Sequence, residues 1–206
     1  MQYNMSALDN LYKMQDKDID KFAYTLASAF KGYALFEYFA KYKYDEKKMI
    51  LFWKVMLKAS KNNAIHLATD EECESVAVVF KPGYKGPSLF SYIRYGGIKL
   101  LFNFGLSSIR RMLKFENYAE TIKKNYIKDN TWYFYSLAVS PSRQNKGEAS
   151  KLVRPLMQFW KDNNQTCYLE TLNSRNVSIY QHFDYKLVST TNIPSSDLIL
   201  YGMVKE

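Results

Sequence analysis

The stretch "SLAVSPSRQNKGEAS", Ser136 to Ser150, decides how the rest of the chain is read. An apolar, strand-like run meets Pro141, then a polar cluster, then Gly147, and then residues that favour a helix. The first N–H groups of a helix have no intrahelical partner, and the summed peptide dipole makes that end positive. Placed after a strand, such an end is a ready anion site. Gly147 lets an anionic group approach the main chain, because no side chain shields it. Ala149 is the smallest residue that still favours helix, and Ser150 is also small. Arg143 and Lys146 add full charges, and Gln144 and Asn145 add neutral donors. The segment has the chemistry of a pyrophosphate cradle. Its plain alternative is an ordinary strand-to-helix turn with solvated polar residues.

Two better-known phosphate motifs fail on spacing. A P-loop needs G-x-x-x-x-G-K-[ST], and both its first glycine and its lysine after Gly147 are missing. A dinucleotide fingerprint needs G-x-G-x-x-G, and Gly147 stands alone in its neighbourhood.

Outward from this segment the elements fall into order. "TWYFYSLAV" reads as a strand, "KGEASKLVRPLMQFWKDNN" as a helix, "TCYLETL" as a strand and "SRNVSIYQHF" as a short helix. "YKLVSTT" and "LILYGMV" close as strands, so the C-terminal part alternates in α/β fashion. Upstream, Ile19, Phe22, Leu26 and Phe30 recur at helical spacing behind Asp18, a predicted N-cap, with Gly32 as a stop. A second amphipathic pattern runs from about Lys47 to Ser60. "AIHLAT" and "SVAVVF" then read as two strands around the turn "DEEC". The apolar region from Pro87 to Asn125, with Gly96, Gly97 and Gly105, reads as a helical insertion over one face of a single domain spanning residues 1–206.

Three segments together carry a family resemblance. The strand "YSLAVSP", then Arg143 to Ala149, then a helix resembles motif A of the GNAT acetyltransferases, [QR]-x-x-G-x-[GA]. "YLETLNSRNVSIYQHFDY" resembles the family's next strand and short helix, with L-E-T, N-x-x-x-Y and a closing Gly-Phe pair. The clear likeness covers about Thr131 to Val204. Within the family, the aromatic strand before the cradle and a proline inside the helix, Pro155, resemble puromycin N-acetyltransferase. Two departures stand out: Asp184 takes the usual glycine position, and Thr131 takes the place of a frequent histidine.

The resemblance implies an acyl-CoA N-acyltransferase fold of α/β (α+β) class. Its central sheet is mixed, mostly antiparallel, and flanked by helices. It implies acetyl-CoA as co-substrate, its pantetheine along the backbone of Leu137, Ala138 and Val139. Gln144, Asn145, Lys146, Gly147, Glu148, Ala149 and Ser150 would hold the pyrophosphate. Asn176 and Tyr180, four apart, share one helix face. The family role puts Asn176 on the pantetheine arm and Tyr180 beside the sulfur. A phenol with a pKa near 10 is protonated at neutral pH and can donate to a departing thiolate. By spacing alone, Tyr180 is an ordinary core tyrosine. Glu170 is the carboxylate best placed to take a proton from an amine; its alternation with Leu169 also fits a solvent-facing or lysine-paired residue. The insertion 87–125 would shape the acceptor pocket.

Composition bounds the alternatives. The chain has 206 residues with 29 basic and 20 acidic side chains, a net charge of +9. The lysines are scattered, which fits a solvated surface and would steer an anionic ligand such as CoA. A nucleic-acid binder is the remote alternative, for no RRM signature, zinc finger or basic helix block is present. Cys73, Cys167, His66 and His182 form no metal pattern, so no metal is expected. "MQYNMSALDN" carries no signal-peptide pattern, and "SLFSYIRYGGIKLLFNFGL" is a poor membrane span because Arg94, Lys99 and a glycine pair interrupt it. A reduced, cytoplasmic protein without membrane or nucleic-acid partners is expected, as monomer or homodimer. It would act on a small-molecule amine. A module that binds acetyl-CoA without chemistry is the alternative function.

Overall fold

The computed structural model describes residues 3–40, 44–84 and 86–206. Seven strands form one sheet: β1 (Tyr12–Lys13), β2 (Ala64–Ala68), β3 (Ser75–Phe80), β4 (Thr131–Val139), β5 (Thr166–Thr171), β6 (Lys186–Asn192) and β7 (Ile199–Lys205). Their order is β1-β2-β3-β4-β5-β7-β6. Every pairing is antiparallel except β4 with β5. This is the mixed, mostly antiparallel sheet that the sequence implied.

Helices cover both faces. On one lie α1 (Ile19–Ala29), α2 (Ala34–Phe39), α3 (Glu46–Ser60) and α5 (Gly97–Lys123), whose Phe22, Leu26, Trp53 and Phe115 pack on Val78 and Phe80. On the other lies α6 (Glu148–Asp162), which buries Leu152, Leu156 and Phe159 against Trp132 and Leu169. Two short helices complete the set, α4 (Leu89–Arg94) and α7 (Ser174–Gln181). Among the described residues no helix is long and apolar enough to cross a membrane.

Local chemistry explains the element ends. Asp18 stands at the N-cap of α1, yet its carboxylate accepts from the Gln15 amide (2.8 Å) and the Tyr12 hydroxyl (2.7 Å). It braces the 3-10 turn before the helix instead of capping α1. Gly32, at φ +77°, ends that segment as expected. Asp45 does cap α3, accepting from the Lys48 amide. α6 continues through Pro155 from Glu148 to Asp162. Asp184 takes the left-handed conformation (φ +62°) that the glycine position demands, so the turn after α7 forms without glycine.

Two irregularities in β4 position the site. Opposite β3, Val78 faces Ser136 and Val79 faces Phe134, which leaves Tyr135 as a bulge. The extra residue lets Tyr133, Tyr135 and Ala138 all face the α1–α3–α5 side, while Phe134 and Leu137 face α6. Opposite β5, pairing runs from Thr131↔Thr166 to Phe134↔Leu169 and then stops. β4 continues to Val139 and β5 to Thr171. The two strands therefore splay, and the β5-side edge of β4 is left without a strand partner beyond Phe134.

Candidate active site

The cradle begins where β4 ends. A 3-10 turn at Pro141–Arg143 leads to Asn145 at φ +59° and Gly147 at φ +78°, and Gly147 is the N-cap of α6. No side chain caps this helix. Among the described residues, the amides of Asn145, Lys146, Gly147, Glu148 and Ala149 donate to no protein acceptor. A Cβ built on Gly147 would meet nothing within 4 Å, so the approach to these amides is open.

Several flanking side chains turn back onto the protein. Gln144 Nε2 donates to the Val139 carbonyl (3.1 Å), and Lys146 Nζ donates to the Ser142 carbonyl (2.8 Å). The Glu148 carboxylate is buried and pairs with Lys151 Nζ at 2.8 Å, an interaction that holds its pKa below the ordinary value. The Ser150 amide is used by the Gly147 carbonyl (3.0 Å). Arg143 pairs with Glu74 at 2.6 Å. The side-chain donors expected from Gln144 and Lys146 are thus committed elsewhere, which leaves main-chain amides as the open donors of Asn145 to Ala149 among the described residues.

From this cradle β4 leads to a cavity of about 110 Å³ between the splayed strands and the helices. The cavity brings together four of the residues singled out by sequence: Leu137, Glu170, Asn176 and Tyr180. Ala138 and Val139 lie further along β4, and the Ala138 side chain is buried in the core. The buried Ser136 hydroxyl also belongs to the wall and has no partner among the described residues. A larger open cleft of about 740 Å³, lined by Arg154, Lys161, His182 and Lys205, contains none of the predicted site residues.

Glu170 is held by two phenols. The Tyr133 hydroxyl donates to Oε2 and the Tyr168 hydroxyl to Oε1, both at 2.9 Å. Burial pushes its carboxyl up to about 7, while these two donors and the nearby Lys123 charge pull in the other direction. It neither faces open solvent nor pairs directly with a lysine: Lys123 is bonded to Glu120 at 2.6 Å and lies 4.3 Å from the Tyr133 ring centre. Gly202 of β7 pairs with Glu170 of β5. A Cβ there would come within 2.7 Å of the Tyr168 hydroxyl and would also collide with Ser189 Oγ, so this glycine makes room for the phenol that holds Glu170.

Tyr180 lines the same cavity from α7. Its ring packs edge-on against Phe134 and Tyr185, and burial raises its phenol well above the ordinary value. Asn176, one turn earlier, donates from Nδ2 to Thr171 Oγ1 at 3.2 Å. Tyr33 accepts from the Leu172 amide at 2.8 Å and ties α2's entry to the end of β5. Cys167 is fully buried, and burial pushes its thiol up to about 12, so it is no thiolate nucleophile at neutral pH.

Glu116 is the residue that motifs did not reveal. It projects from α5 into the cavity lining, where surrounding protein raises its carboxyl although solvent still reaches it. A usable signal did exist: Met112, Phe115 and Ala119 form the buried stripe of α5, and Glu116 stands at its edge. Aromatic walls complete the cavity, including Phe30 stacked on Trp53 at 5.7 Å and 22°. Among the described residues there is no cluster of three or more His, Cys, Asp or Glu that could hold a metal.

The profile of the acetyltransferase (GNAT) family matches residues 112–185, from the end of α5 through β4, α6 and β5 to Tyr185. An uncharacterised N-acetyltransferase of Schizosaccharomyces pombe is 33% identical over 57 residues, which cover 28% of this chain and 23% of that protein. The matched part thus spans about a quarter of that relative's length. Solved structures share the fold over nearly the whole chain. A histone acetyltransferase HPA2-related acetyltransferase from Corynebacterium glutamicum superposes with TM-score 0.66 at 18% identity, covering 95% of this chain and 94% of that one. Arylalkylamine N-acetyltransferase 2 from Aedes aegypti gives 0.65 at 15% (95% and 97%), and a Drosophila melanogaster polyamine N-acetyltransferase gives 0.62 at 9% (95% and 98%). The fold is that of the GNAT acyltransferases, and the family profile matches about a third of the chain.

Proposed function

We propose that the chain is an acetyl-CoA-dependent N-acetyltransferase that acts on a small-molecule amine. One observation carries this: a row of amides at the start of α6, without an acceptor among the described residues, is joined by β4 to a cavity holding Glu170 and Tyr180. Bound acetyl-CoA would supply the thioester, its diphosphate on the amides of Asn145 to Ala149 and its pantetheine along the open edge of Leu137, Ala138 and Val139. Gln144 and Lys146 shape that loop, and Asn176 and the unpartnered Ser136 hydroxyl offer further polar contacts.

The acid and base roles follow from environment. An amine arrives as an ammonium ion and must lose a proton before it can act as a nucleophile. Glu170, raised to about 7, is ionised in a substantial fraction at neutral pH and basic enough to take that proton. Tyr180 stays protonated because burial raises its pKa, and its phenol can give a proton to the departing sulfur. Cys167 is too basic and too buried to carry the acetyl group, which favours direct transfer.

The acceptor side supports a cationic amine. Glu116 and Glu170 supply negative charge, and the aromatic walls favour both rings and cations. α5 contributes Phe115, Glu116 and Ala119 to this cavity, which supports a pocket-shaping role for the 87–125 insertion within a single domain. The Aedes and Drosophila fold neighbours are named for arylalkylamines and polyamines, so both belong in the panel. The likeness to puromycin N-acetyltransferase rests on the aromatic β4 and Pro155, and adds an aminonucleoside. A reduced, cytoplasmic setting is supported by Cys73 and Cys167, both free and buried.

Thiol release from acetyl-CoA across alkylamines, arylalkylamines, polyamines and an aminonucleoside tests the proposal, with Tyr180→Phe as control. Amine-dependent release that falls in the variant supports it. CoA binding without release by any amine would favour the binding-module alternative, and no CoA binding at all would end both.

A further inference from the structure

α4 and α5 as far as Lys114 expose apolar side chains that nothing among the described residues covers. Phe102 is 83% exposed, Phe90 72%, Leu106 63% and Ile98 54%. Of the twelve large apolar side chains exposed among the described residues, eight lie between Phe90 and Leu113. Such crowding marks an interaction surface, whereas isolated exposed apolar residues are ordinary.

Charge selects the partner. From Ser75 to Phe115 the sequence holds seven lysines and arginines and no aspartate or glutamate. About a fifth of the chain thus carries +7 of its +9. Arg111 is used internally, donating to the Tyr38 and Phe39 carbonyls at 2.9 and 2.6 Å and so fixing α5 to α2. Arg94, Lys99, Arg110 and Lys114 are exposed on the same two helices, and none forms an ion pair with a carboxylate among the described residues. A second copy of this face would set like charges against one another. Exposed apolar side chains interspersed along the sequence with cations that pair with no carboxylate among the described residues, on helices that do not span, match an interfacial element on an anionic bilayer. Gly105, at φ +74° and ψ +159°, interrupts α5 within this face, which continues beyond it through Leu106, Arg110 and Lys114.

We propose that α4 and the first part of α5 dock the protein on anionic membrane surfaces. Phe90, Ile98, Phe102 and Leu106 enter the headgroup layer, and Arg94, Lys99, Arg110 and Lys114 meet lipid phosphates. This is surface association and adds a membrane partner that the sequence did not lead one to expect.

Co-sedimentation of the full chain with phosphatidylcholine vesicles, with and without phosphatidylserine, tests it. The mixed vesicles should bind the protein and lose it as salt is raised, and pure phosphatidylcholine should bind far less. Lys99→Gln with Arg110→Gln should weaken binding by roughly fivefold per charge. Phe102→Ser should also weaken it, with unchanged thermal melting because the side chain packs on nothing. Phe102→Trp, read by quenching from brominated lipid, reports insertion directly. No sedimentation with either vesicle overturns the proposal, as does binding that these variants leave intact. An oligomer that Phe102→Ser dissociates, without vesicle binding, assigns the face to self-association and overturns it as well.

Discussion

The two sides of the β4–β5 splay are built on different principles. The side proposed for the cofactor is main chain: five consecutive amides with no protein acceptor among the described residues, a left-handed asparagine and glycine, and an open strand edge. The side proposed for the acceptor is side chain: Glu170 from β5, Glu116 from α5, Tyr180 from α7, and aromatic rings from Phe30 after α1 and from α2, α3 and β4. Backbone amides carry no titratable group, so affinity on the first side should be insensitive to pH and to most side-chain changes. Two carboxyls raised by desolvation make the second side sensitive to both.

Substitutions can break this contrast from either side. Glu170→Gln should have the largest effect, lowering kcat/KM for the amine by about 10³-fold while calorimetry shows unchanged acetyl-CoA affinity. Tyr180→Phe should lower kcat by about 10²-fold in steady-state assays, with KM for both substrates little altered. Gly147→Asp acts on the other side. Aspartate tolerates a positive φ better than most residues, so the main effect is a negative charge at the helix start. Roughly tenfold weaker CoA binding is expected by titration, with kcat recovered at saturation. Gly202→Ala is subtler: its Cβ displaces the Tyr168 hydroxyl from Glu170, removing a donor that lowers the carboxyl pKa. The base should then titrate above its present value of about 7, with a several-fold loss of rate at neutral pH.

Stability against pH gives the smallest signal, and its sign differs between the two buried groups. The Glu170 carboxyl is raised from 4.5 to about 7, so its contribution is fully present below 4.5 and is lost as pH rises through 7. Glu170→Gln should flatten that part of a melting-temperature profile. His66, buried beside Ser60 Oγ at 3.2 Å, is lowered from 6.5 to about 4. Its contribution is present above 6.5 and is lost as pH falls through 4, so acid melting should ease in the His66→Gln variant.

The same contrast governs what the chain discloses before it is folded. The cradle is contiguous, from Leu137 to Ser150, so its strand, turn and helix start could be read in a single pass. The bulge at Tyr135 and the early end of the β4–β5 pairing were not legible, because they depend on register with distant strands. α2 has six residues, too few for a periodicity to declare itself. Glu116 reaches the cavity only because Arg111 and the buried stripe of α5 set the rotation of that helix. Gln144 and Lys146 were legible as donors, but not the carbonyls of Val139 and Ser142 that their side chains satisfy. Glu170 was legible as a carboxylate on the strand that follows the long helix. Its two phenolic partners depend on the pairing of β4, β5 and β7 and on the space left by Gly202.

Paired pH profiles of acetyl-CoA affinity and of kcat/KM for the best amine test the division between the two sides most directly. Affinity should stay flat above neutrality, while log kcat/KM changes slope near pH 7 and loses that break in Glu170→Gln. A break that survives in Glu170→Gln, or a profile without one in the unaltered protein, would contradict the assignment of the base.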